Sequence, residues 1–168
     1  TSRHVVDGAS DLTIEFTTHP KLAGIDISVR VLYSPNPNII GDLDSRDFAV
    51  LKINDDQINI QDIIKPLKFG DSDLLKNGDI FYAYGYPAIA VGIVDPSVTQ
   101  GTVSNISFTQ NTAFMKINCD IFSGNSGGPL VNDKDEVVGI NTAVPSDTKY
   151  AGQNLSLKIN EILNDSSI

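Results

Sequence analysis

A serine enclosed by glycines is the part of this sequence whose residue types most clearly suggest chemistry. Residues 124–129 read Gly-Asn-Ser-Gly-Gly-Pro, with Ser126 at the centre. Glycine allows positive φ and a close approach of other groups to the backbone, so a serine in such a turn can present its hydroxyl beside backbone N–H donors. Acyl transfer needs a nucleophile beside donors that face the developing oxyanion. The alternative is a glycine-rich β-turn in which the serine is incidental.

A serine nucleophile needs a base, and the chain has two histidines. His4 directly precedes apolar residues, whereas His19 lies in a polar Thr-Thr-His-Pro-Lys turn that is typical of a solvated loop. An imidazole with a pKa of about 6.5 can accept a proton near neutral pH. Asp47 stands directly before the apolar run 48–53, where a carboxylate is costly to bury without a partner such as a histidine N–H. Taken alone, His4 and Asp47 are each better explained by a structural role than by a catalytic one.

The elements that must position these residues are mainly β strands. Apolar and polar residues alternate or β-branched residues cluster in several short runs, which predicts strands. These runs are 12–17, 25–31, 48–53, 79–84, 99–108 and 113–117, together with a hairpin of 130–131 and 137–140 around the turn 132–136. The nearly all-apolar run 48–53 indicates a strand that is buried on both faces, and residues 34–38 indicate a loop.

The spacing of the strands favours an all-β barrel or sandwich, because they recur about every ten residues. The clearest helical pattern is at 157–163, which predicts a short closing helix. Proline, glycine and aspartate cluster between residues 65 and 78 and mark a soft boundary between two comparable β halves.

Composition narrows the classes of function. The 168 residues are enough for one domain, and 12 Lys+Arg against 21 Asp+Glu give a formal net charge of −9. This charge argues against nucleic acid or an anionic membrane surface as the main partner. The single cysteine excludes an internal disulfide framework, and two isolated histidines with one cysteine do not build a common zinc site. We expect no metal, no cofactor and no membrane span in this chain, and the compartment stays open.

The order His4, Asp47, Ser126 and the segments around these residues resemble the chymotrypsin-fold (trypsin-like) serine proteases, most closely the bacterial HtrA/DegP type. The resembling segments are Thr-x-x-His-Val-Val at 1–6, Asp-Phe-Ala-Val-Leu-Lys-Ile at 47–53, Gly-Asn-Ser-Gly-Gly-Pro-Leu-Val-Asn at 124–132 and Val-Gly-Ile-Asn-Thr at 138–142. Weaker matches at 69–72, 76–79, 85–87 and 100–104 extend the resemblance over essentially the whole chain.

The resemblance implies a fold of two six-stranded antiparallel Greek-key β-barrels with a short C-terminal helix. Residues 1–70 would form the N-terminal barrel and linker, and residues 71–168 the C-terminal barrel with the nucleophile loop and the closing helix. The family carries two strands before its histidine, so the N-terminal barrel lacks its first strands in this chain. We therefore expect an N-terminal segment or chain of roughly 25–35 residues that completes the barrel, in line with usual strand lengths.

The resemblance also implies a role for each candidate residue. Ser126 attacks the scissile carbonyl, His4 transfers the proton, and Asp47 orients the His4 ring. The N–H groups of Gly124 and Ser126, with Asn125 as a third candidate, form the oxyanion hole. Asn125 stands where the digestive enzymes carry an aspartate, which implies that activation proceeds by loop ordering or assembly instead of a salt bridge to a new N-terminus.

Substrate specificity would depend on residues on either side of the nucleophile loop. The candidates are Asp120, Ile121, Phe122, Thr142, Ala143 and Val144. Ile121 and Val144 would make the primary pocket small and aliphatic. Asp120 lies six residues before Ser126, where trypsin-like enzymes carry an aspartate that selects basic side chains. We favour a solvated or turn-forming Asp120, because the intervening loop differs from theirs.

The leading hypothesis is therefore a serine endopeptidase that cleaves protein or peptide substrates through a His-Asp-Ser triad and an acyl-enzyme. A catalytically inactive pseudoprotease that serves as a binding module is the alternative from a different class. A glutamyl endopeptidase-like protease of the same fold is the third hypothesis. Family analogy also suggests a homo-oligomer.

Overall fold

The computed structural model describes residues 1–16, 19–34, 47–53, 60–87, 96–107, 113–142, 154–166 and 168. Short extended runs dominate these residues, as the alternating pattern predicts. The strands are β1 Leu12–Glu15, β2 Asp26–Tyr33, β3 Val50–Ile53, β4 Lys68–Phe69, β5 Ile80–Gly85, β6 Ser97–Asn105, β7 Phe114–Asn118, β8 Pro129–Asn132, β9 Glu136–Thr142 and β10 Asn154–Lys158. Two short helices, α1 Arg3–Val6 and α2 Ile159–Leu163, and two 3₁₀ turns, Ile60–Asp62 and Ser72–Leu74, complete the described elements.

The C-terminal half is a closed six-stranded barrel. Its strands neighbour one another in the order β10, β7, β6, β5, β8, β9, and β9 pairs back onto β10. All six pairings are antiparallel. Closure leaves no free sheet edge in the barrel, and the inward-facing side chains fill the interior. The main buried cluster contains Phe81, Ala83, Val103, Met115, Ile117, Cys119, Leu130 and Val138. The prediction of an all-β barrel fold with a short C-terminal helix is confirmed.

The described part of the N-terminal half contains one antiparallel sheet, β1-β2-β3. Ile27 and Val29 of β2 are buried, whereas Ser28 between them is exposed. Beyond this sheet the chain joins the second barrel, because β4 pairs in parallel with the start of β9. The Gly70 N–H donates to the Val137 carbonyl at 2.9 Å and continues this pairing.

Two of the predicted elements differ in the structure. The closing helix begins at Ile159 instead of residue 157, because Leu157 is paired in β10 with both β7 and β9. The run 48–53 is not buried on both faces. Phe48 and Ala49 are buried just before β3, whereas the strand itself is half-buried, with an exposed Lys52. β3 is an edge strand of the described three-stranded sheet, where it pairs with β2. Most of the predicted loop 34–38 lies outside the described residues.

Candidate active site

His4 and Asp47 are brought together by backbone pairing between the two chain segments that carry them. The Thr1 nitrogen donates to the Ala49 carbonyl at 3.2 Å, and the Ala49 N–H donates to the Thr1 carbonyl at 2.9 Å. The chain then turns into α1, which carries His4. One oxygen of Asp47 accepts the His4 backbone N–H at 3.0 Å, and the other lies 2.6 Å from His4 Nδ1. Both carboxylate oxygens therefore hold the same histidine.

The electrostatics of the pair are those of a base with an orienting carboxylate. The hydrogen bond to Asp47 raises the pKa of His4, and the negative charge of that carboxylate adds to the effect against the opposing influences of burial and the Arg3 charge. Burial alone would raise the pKa of Asp47, but its hydrogen bonds with His4 and the nearby positive charges outweigh burial, so that its pKa is lowered. With Nδ1–H donated to Asp47, the Nε2 atom of His4 is the nitrogen that can accept a proton.

Ser126 lies in the turn between β7 and β8, where glycines set the backbone. Gly124 and Gly127 have φ of 95° and 83°, in the left-handed region that favours glycine. The Asn125 N–H donates to the Phe122 carbonyl at 3.0 Å, and the Gly128 N–H donates to the Asn125 carbonyl at 3.1 Å. These bonds fold the loop back on itself and leave Ser126 half-buried at its tip.

The three oxyanion-hole candidates differ in their hydrogen bonding. The Asn125 N–H is used inside the loop by the Phe122 carbonyl. The N–H groups of Gly124 and Ser126 donate to no acceptor among the residues that the structure describes. The N–H groups of Gly124 and Ser126, which flank Asn125, are therefore available to a ligand beside the Ser126 hydroxyl.

The His4 helix and the Ser126 loop belong to different β halves and meet through buried polar groups. Ser2 occupies the N-cap position of α1 without capping it. Its fully buried hydroxyl instead donates to the Asn141 carbonyl at 3.1 Å. The same carbonyl accepts the Gly127 N–H at 2.8 Å. The backbone of Gly127 lies so close to Thr1 and Ser2 that a Cβ would collide with the Thr1 Oγ1 atom. One carbonyl oxygen thus connects the helix that carries His4 to the loop that carries Ser126.

Strand β5 supports the loop from behind. Asn125 is almost fully buried, and its side-chain oxygen contacts Gly85, where a Cβ could not be accommodated. Gly128 packs in the same way on the Tyr84 carbonyl, which also accepts the Asn141 side-chain N–H at 3.1 Å. Sequence reasoning missed the positioning residues Ser2 and Asn141, although Asn141 lies in the resembling segment 138–142.

The specificity candidates are only partly described. Asp120 is exposed, Ile121 is half-buried against the barrel core, and Phe122 is 59% exposed at the start of the loop. Thr142 is buried at the end of β9, next to Asn141. Ala143 and Val144 lie outside the described residues, so the aliphatic pocket stays a prediction.

The remaining candidate groups lie apart from this chemistry. His19 sits in a turn where its Nδ1 accepts the Lys21 N–H at 3.3 Å. Cys119 is buried in the barrel core, and burial, with a further contribution from the Asp120 charge, raises the pKa of its thiol to about 11. The described residues contain no group of three potential metal ligands. They also contain no helix that is long and apolar enough to cross a membrane.

A closed six-stranded barrel that carries a glycine-set serine loop, next to a His–Asp pair from the other half of the chain, has the architecture of a chymotrypsin-fold serine peptidase. Comparison with known proteins agrees. The family model of the trypsin-like peptidase domain matches residues 1–140. The chain therefore belongs to the trypsin-like peptidase family.

Similar proteins include the serine protease Do-like HtrA of Bacillus subtilis, which is 31% identical over 96% of this chain. A probable periplasmic serine endoprotease DegP-like of Pseudomonas savastanoi is 34% identical over 86% of the chain. This chain spans 34% and 26% of the lengths of these two relatives. Among solved structures, the HtrA-type protease AlgW with a decapeptide matches 97% of this chain and 45% of its own, with a TM-score of 0.69 and 28% identity.

Proposed function

We propose that this chain hydrolyses peptide bonds through an acyl-enzyme formed on Ser126, with His4 as general base and acid and Asp47 as the residue that orients His4. The observation that carries the proposal is that Asp47 contacts His4 twice. Its Oδ1 atom accepts the backbone N–H of His4 at 3.0 Å, and its Oδ2 atom lies 2.6 Å from His4 Nδ1. These two contacts leave Nε2 as the ring nitrogen of His4 that can accept a proton. The segment that carries His4 is linked to the Ser126 loop through Ser2 and the Asn141 carbonyl.

The reaction follows from these positions. His4 Nε2 takes the proton of the Ser126 hydroxyl as Oγ bonds to the scissile carbonyl carbon, and the carbonyl oxygen becomes an oxyanion. The Gly124 and Ser126 N–H groups donate to that oxygen, and each such donor contributes about 100- to 1,000-fold to turnover. The tetrahedral intermediate collapses when the C–N bond breaks and His4 gives its proton to the leaving amine. Water, activated by the same histidine, then releases the acid and regenerates Ser126.

No hydrogen bond between Ser126 and His4 is present among the described contacts, and this is compatible with the mechanism. Catalytic hydrogen bonds are often long in the absence of substrate and shorten in the Michaelis complex. In the proposed mechanism, substrate binding would bring the Ser126 hydroxyl within hydrogen-bond distance of His4. The link through Ser2 and Asn141 already holds the two chain segments together.

We infer that the substrates are protein segments in extended conformation. The similar AlgW structures contain a decapeptide and a tripeptide. The pocket for the side chain before the cleaved bond would be formed by Ile121 and Val144 with Phe122, Thr142 and Ala143, which favours small aliphatic side chains. The exposure of Asp120 supports a solvated role over selection of basic side chains.

The same proposal includes a partner segment for the N-terminal sheet. Arg3 is 5% exposed, and two of its guanidinium nitrogens, Nε and Nη1, are buried without a hydrogen-bond partner among the residues that the structure describes. A buried cation without acceptors is costly, and an additional segment or chain that completes the first barrel would supply them. Association of several copies of the chain also belongs to this proposal, on family analogy.

The test is cleavage of casein by the wild-type chain and by two serine variants. Ser126→Ala should lower turnover by about 10⁶-fold, whereas Ser104→Ala, at an exposed position on β6, should not change it. If the wild-type protein leaves casein and a peptide library uncut but binds a protein partner, it is a pseudoprotease. A library profile with glutamate before the cleaved bond would instead identify the glutamyl endopeptidase-like alternative.

A further inference from the structure

A groove of about 690 Å³ lies apart from the triad, on the outside of the C-terminal barrel. It is bounded by β4, the 3₁₀ turn Ser72–Leu74, the start of β5 and the turn between β8 and β9. None of the three triad residues lines it. Its volume is within the range of about 300–1,000 Å³ that is usual for ligand-holding clefts.

Large apolar side chains line this groove while exposed to solvent. Phe69 is 61% exposed, Leu74 is 73% exposed and Ile80 is 47% exposed. Single exposed apolar residues are common, but several that line one concave surface are typical of an interaction site. The groove therefore offers apolar contact area that nothing in the described part of the chain covers.

The wall that carries Leu74 is held in place from behind. Asn160 of α2 donates its side-chain N–H groups to Asp71 at 2.7 Å and to Asp73 at 2.8 Å. Its side-chain oxygen accepts the Ser72 N–H at 3.2 Å, and its own N–H donates to the fully buried Ser72 hydroxyl at 3.1 Å. This network preforms the groove, so a ligand would not have to order that wall on binding.

The charge of the lining indicates the sign of the occupant. Four carboxylates line the groove, from Asp71, Asp79, Asp133 and Glu136, against one lysine, Lys134. No described lysine or arginine lies within ion-pair distance of these four carboxylates. An occupant with positive charges next to apolar groups would complement both features of the lining.

The outer edge of β4 supplies backbone groups for such an occupant. The Gly70 N–H points toward β9 and donates to Val137. Because backbone groups alternate in direction along a strand, the Phe69 N–H and carbonyl point away from β9. Neither makes a hydrogen bond with another described residue. An unpaired edge beside an apolar groove is the arrangement that accepts an added strand.

We propose that this groove docks an extended, basic segment of a partner polypeptide, in which lysine or arginine alternates with aliphatic residues. The segment pairs with the outer edge of Phe69, its aliphatic side chains contact Phe69, Leu74 and Ile80, and its cations face the carboxylates of the rim. This site is separate from the triad and does not depend on catalysis.

The direct test is peptide binding measured by fluorescence anisotropy on the Ser126→Ala protein, which cannot cleave the probe. The probe is a fluorescein-labelled hexapeptide in which lysine and valine alternate, and the control replaces each lysine with glutamate. The lysine peptide should bind saturably and the glutamate peptide should not. Raising the NaCl concentration from about 0.1 to about 1 M should weaken binding, because the Debye length falls from about 10 to about 3 Å.

Matched variants locate the site. Phe69→Ser and Leu74→Ser should each weaken binding of the lysine peptide by about tenfold or more, as expected for a central apolar anchor. Val98→Ser removes a comparably exposed apolar side chain, 55% exposed on β6, and should change nothing. Asp133→Lys should weaken binding at low salt, whereas Asp11→Lys, an exposed acid away from the groove, should not.

Backbone pairing and the competing occupant are tested in the same experiment. N-methylation of the alternate amides that face β4 should abolish binding, whereas methylation of the other amides should not. The proposal is overturned if the two peptides bind equally, if neither binds, or if Phe69→Ser and Leu74→Ser bind as the parent does. It is also overturned if sedimentation shows a dimer that Phe69→Ser dissociates, since a second copy then occupies the groove.

Discussion

The Ser2→Ala substitution removes one buried hydroxyl from the contact between the His4 helix and the Ser126 loop. The Ser2 hydroxyl donates to the Asn141 carbonyl at 3.1 Å. That carbonyl keeps the Gly127 N–H at 2.8 Å, so no buried acceptor is left without a donor. The loss is therefore that of one ordinary hydrogen bond, about 1 kcal/mol of unfolding free energy. For a domain of this size it lowers Tm by about 2–4 °C.

The expected effect on catalysis is larger than the effect on stability. Without the Ser2 bond, the segment with His4 can shift relative to the loop with Ser126, and a displacement of about 1 Å can cost about 100-fold in rate. We expect kcat to fall by about 10- to 100-fold on this ground, with little change in KM. The acid limb of the pH profile should keep its midpoint, because the Asp47 contacts to His4 are untouched.

Ser156→Ala is the matched control. Ser156 is also fully buried, and its hydroxyl donates to the Ile140 carbonyl, the residue before Asn141, at 2.9 Å. This bond joins β10 to β9 inside one barrel and does not reach the His4 segment. Peptidase assays and thermal unfolding of both variants should show similar losses of Tm but a loss of kcat in Ser2→Ala alone. Equal losses of kcat, or an unimpaired Ser2→Ala enzyme, would refute the positioning role of Ser2.

Four further predictions concern the same site. Asp47→Asn should lower kcat by about 10⁴-fold with the fold intact. NMR titration of this variant should show a lower pKa of His4 than in the wild-type protein, because the hydrogen bond that raises the pKa is lost. An unchanged pKa of His4 would contradict the pairing of His4 with Asp47. In the wild-type enzyme, kcat/KM should rise with pH through a midpoint above about 6.5, because a raised His4 pKa delays formation of the neutral base. The stability that the His4–Asp47 pair contributes should be greatest between about pH 4 and 6.5. The contribution of His4 is lost as the pH rises through the raised pKa of His4, and the contribution of Asp47 is lost as the pH falls through the lowered pKa of Asp47. Urea unfolding of the wild-type protein and Asp47→Asn below, within and above this pH range checks the prediction. Gly127→Ala should abolish activity because its Cβ meets Thr1, whereas Gly78→Ala, with φ of 96° and open space around it, should cost about 1–2 kcal/mol of stability and leave kcat unchanged.

Strand positions could be predicted from the sequence because burial on one face imposes a period of two on short runs. β2 and the β8–β9 hairpin lie close to where alternation and the turn residues placed them. The start of α2 was wrong because Leu157 has an apolar spacing that suits a helix as well as a strand buried between β7 and β9. The short α1 was missed because four residues are too few to show a helical period.

The triad candidates came from residue types and from family resemblance, and the geometry between them could not come from the sequence. The contact of Asp47 with the backbone N–H of His4 depends on the Thr1–Ala49 pairing, which joins residues 48 positions apart. The same holds for Ser2 and Asn141, which are separated by 139 positions. A serine and an asparagine carry no local pattern that predicts such a bond. The division into residues 1–70 and 71–168 stays a prediction.

The most direct test of the proposed catalytic role is reaction with a fluorophosphonate, which phosphonylates a serine that is activated by a neighbouring base. Intact mass and peptide mapping of the folded protein should show one adduct on Ser126, with no adduct in Ser126→Ala and a rate at least about 1,000-fold lower in His4→Ala. Absence of an adduct in the wild-type protein, an adduct on another serine, or equal rates with and without His4 would contradict the assignment of Ser126 as a nucleophile activated by His4.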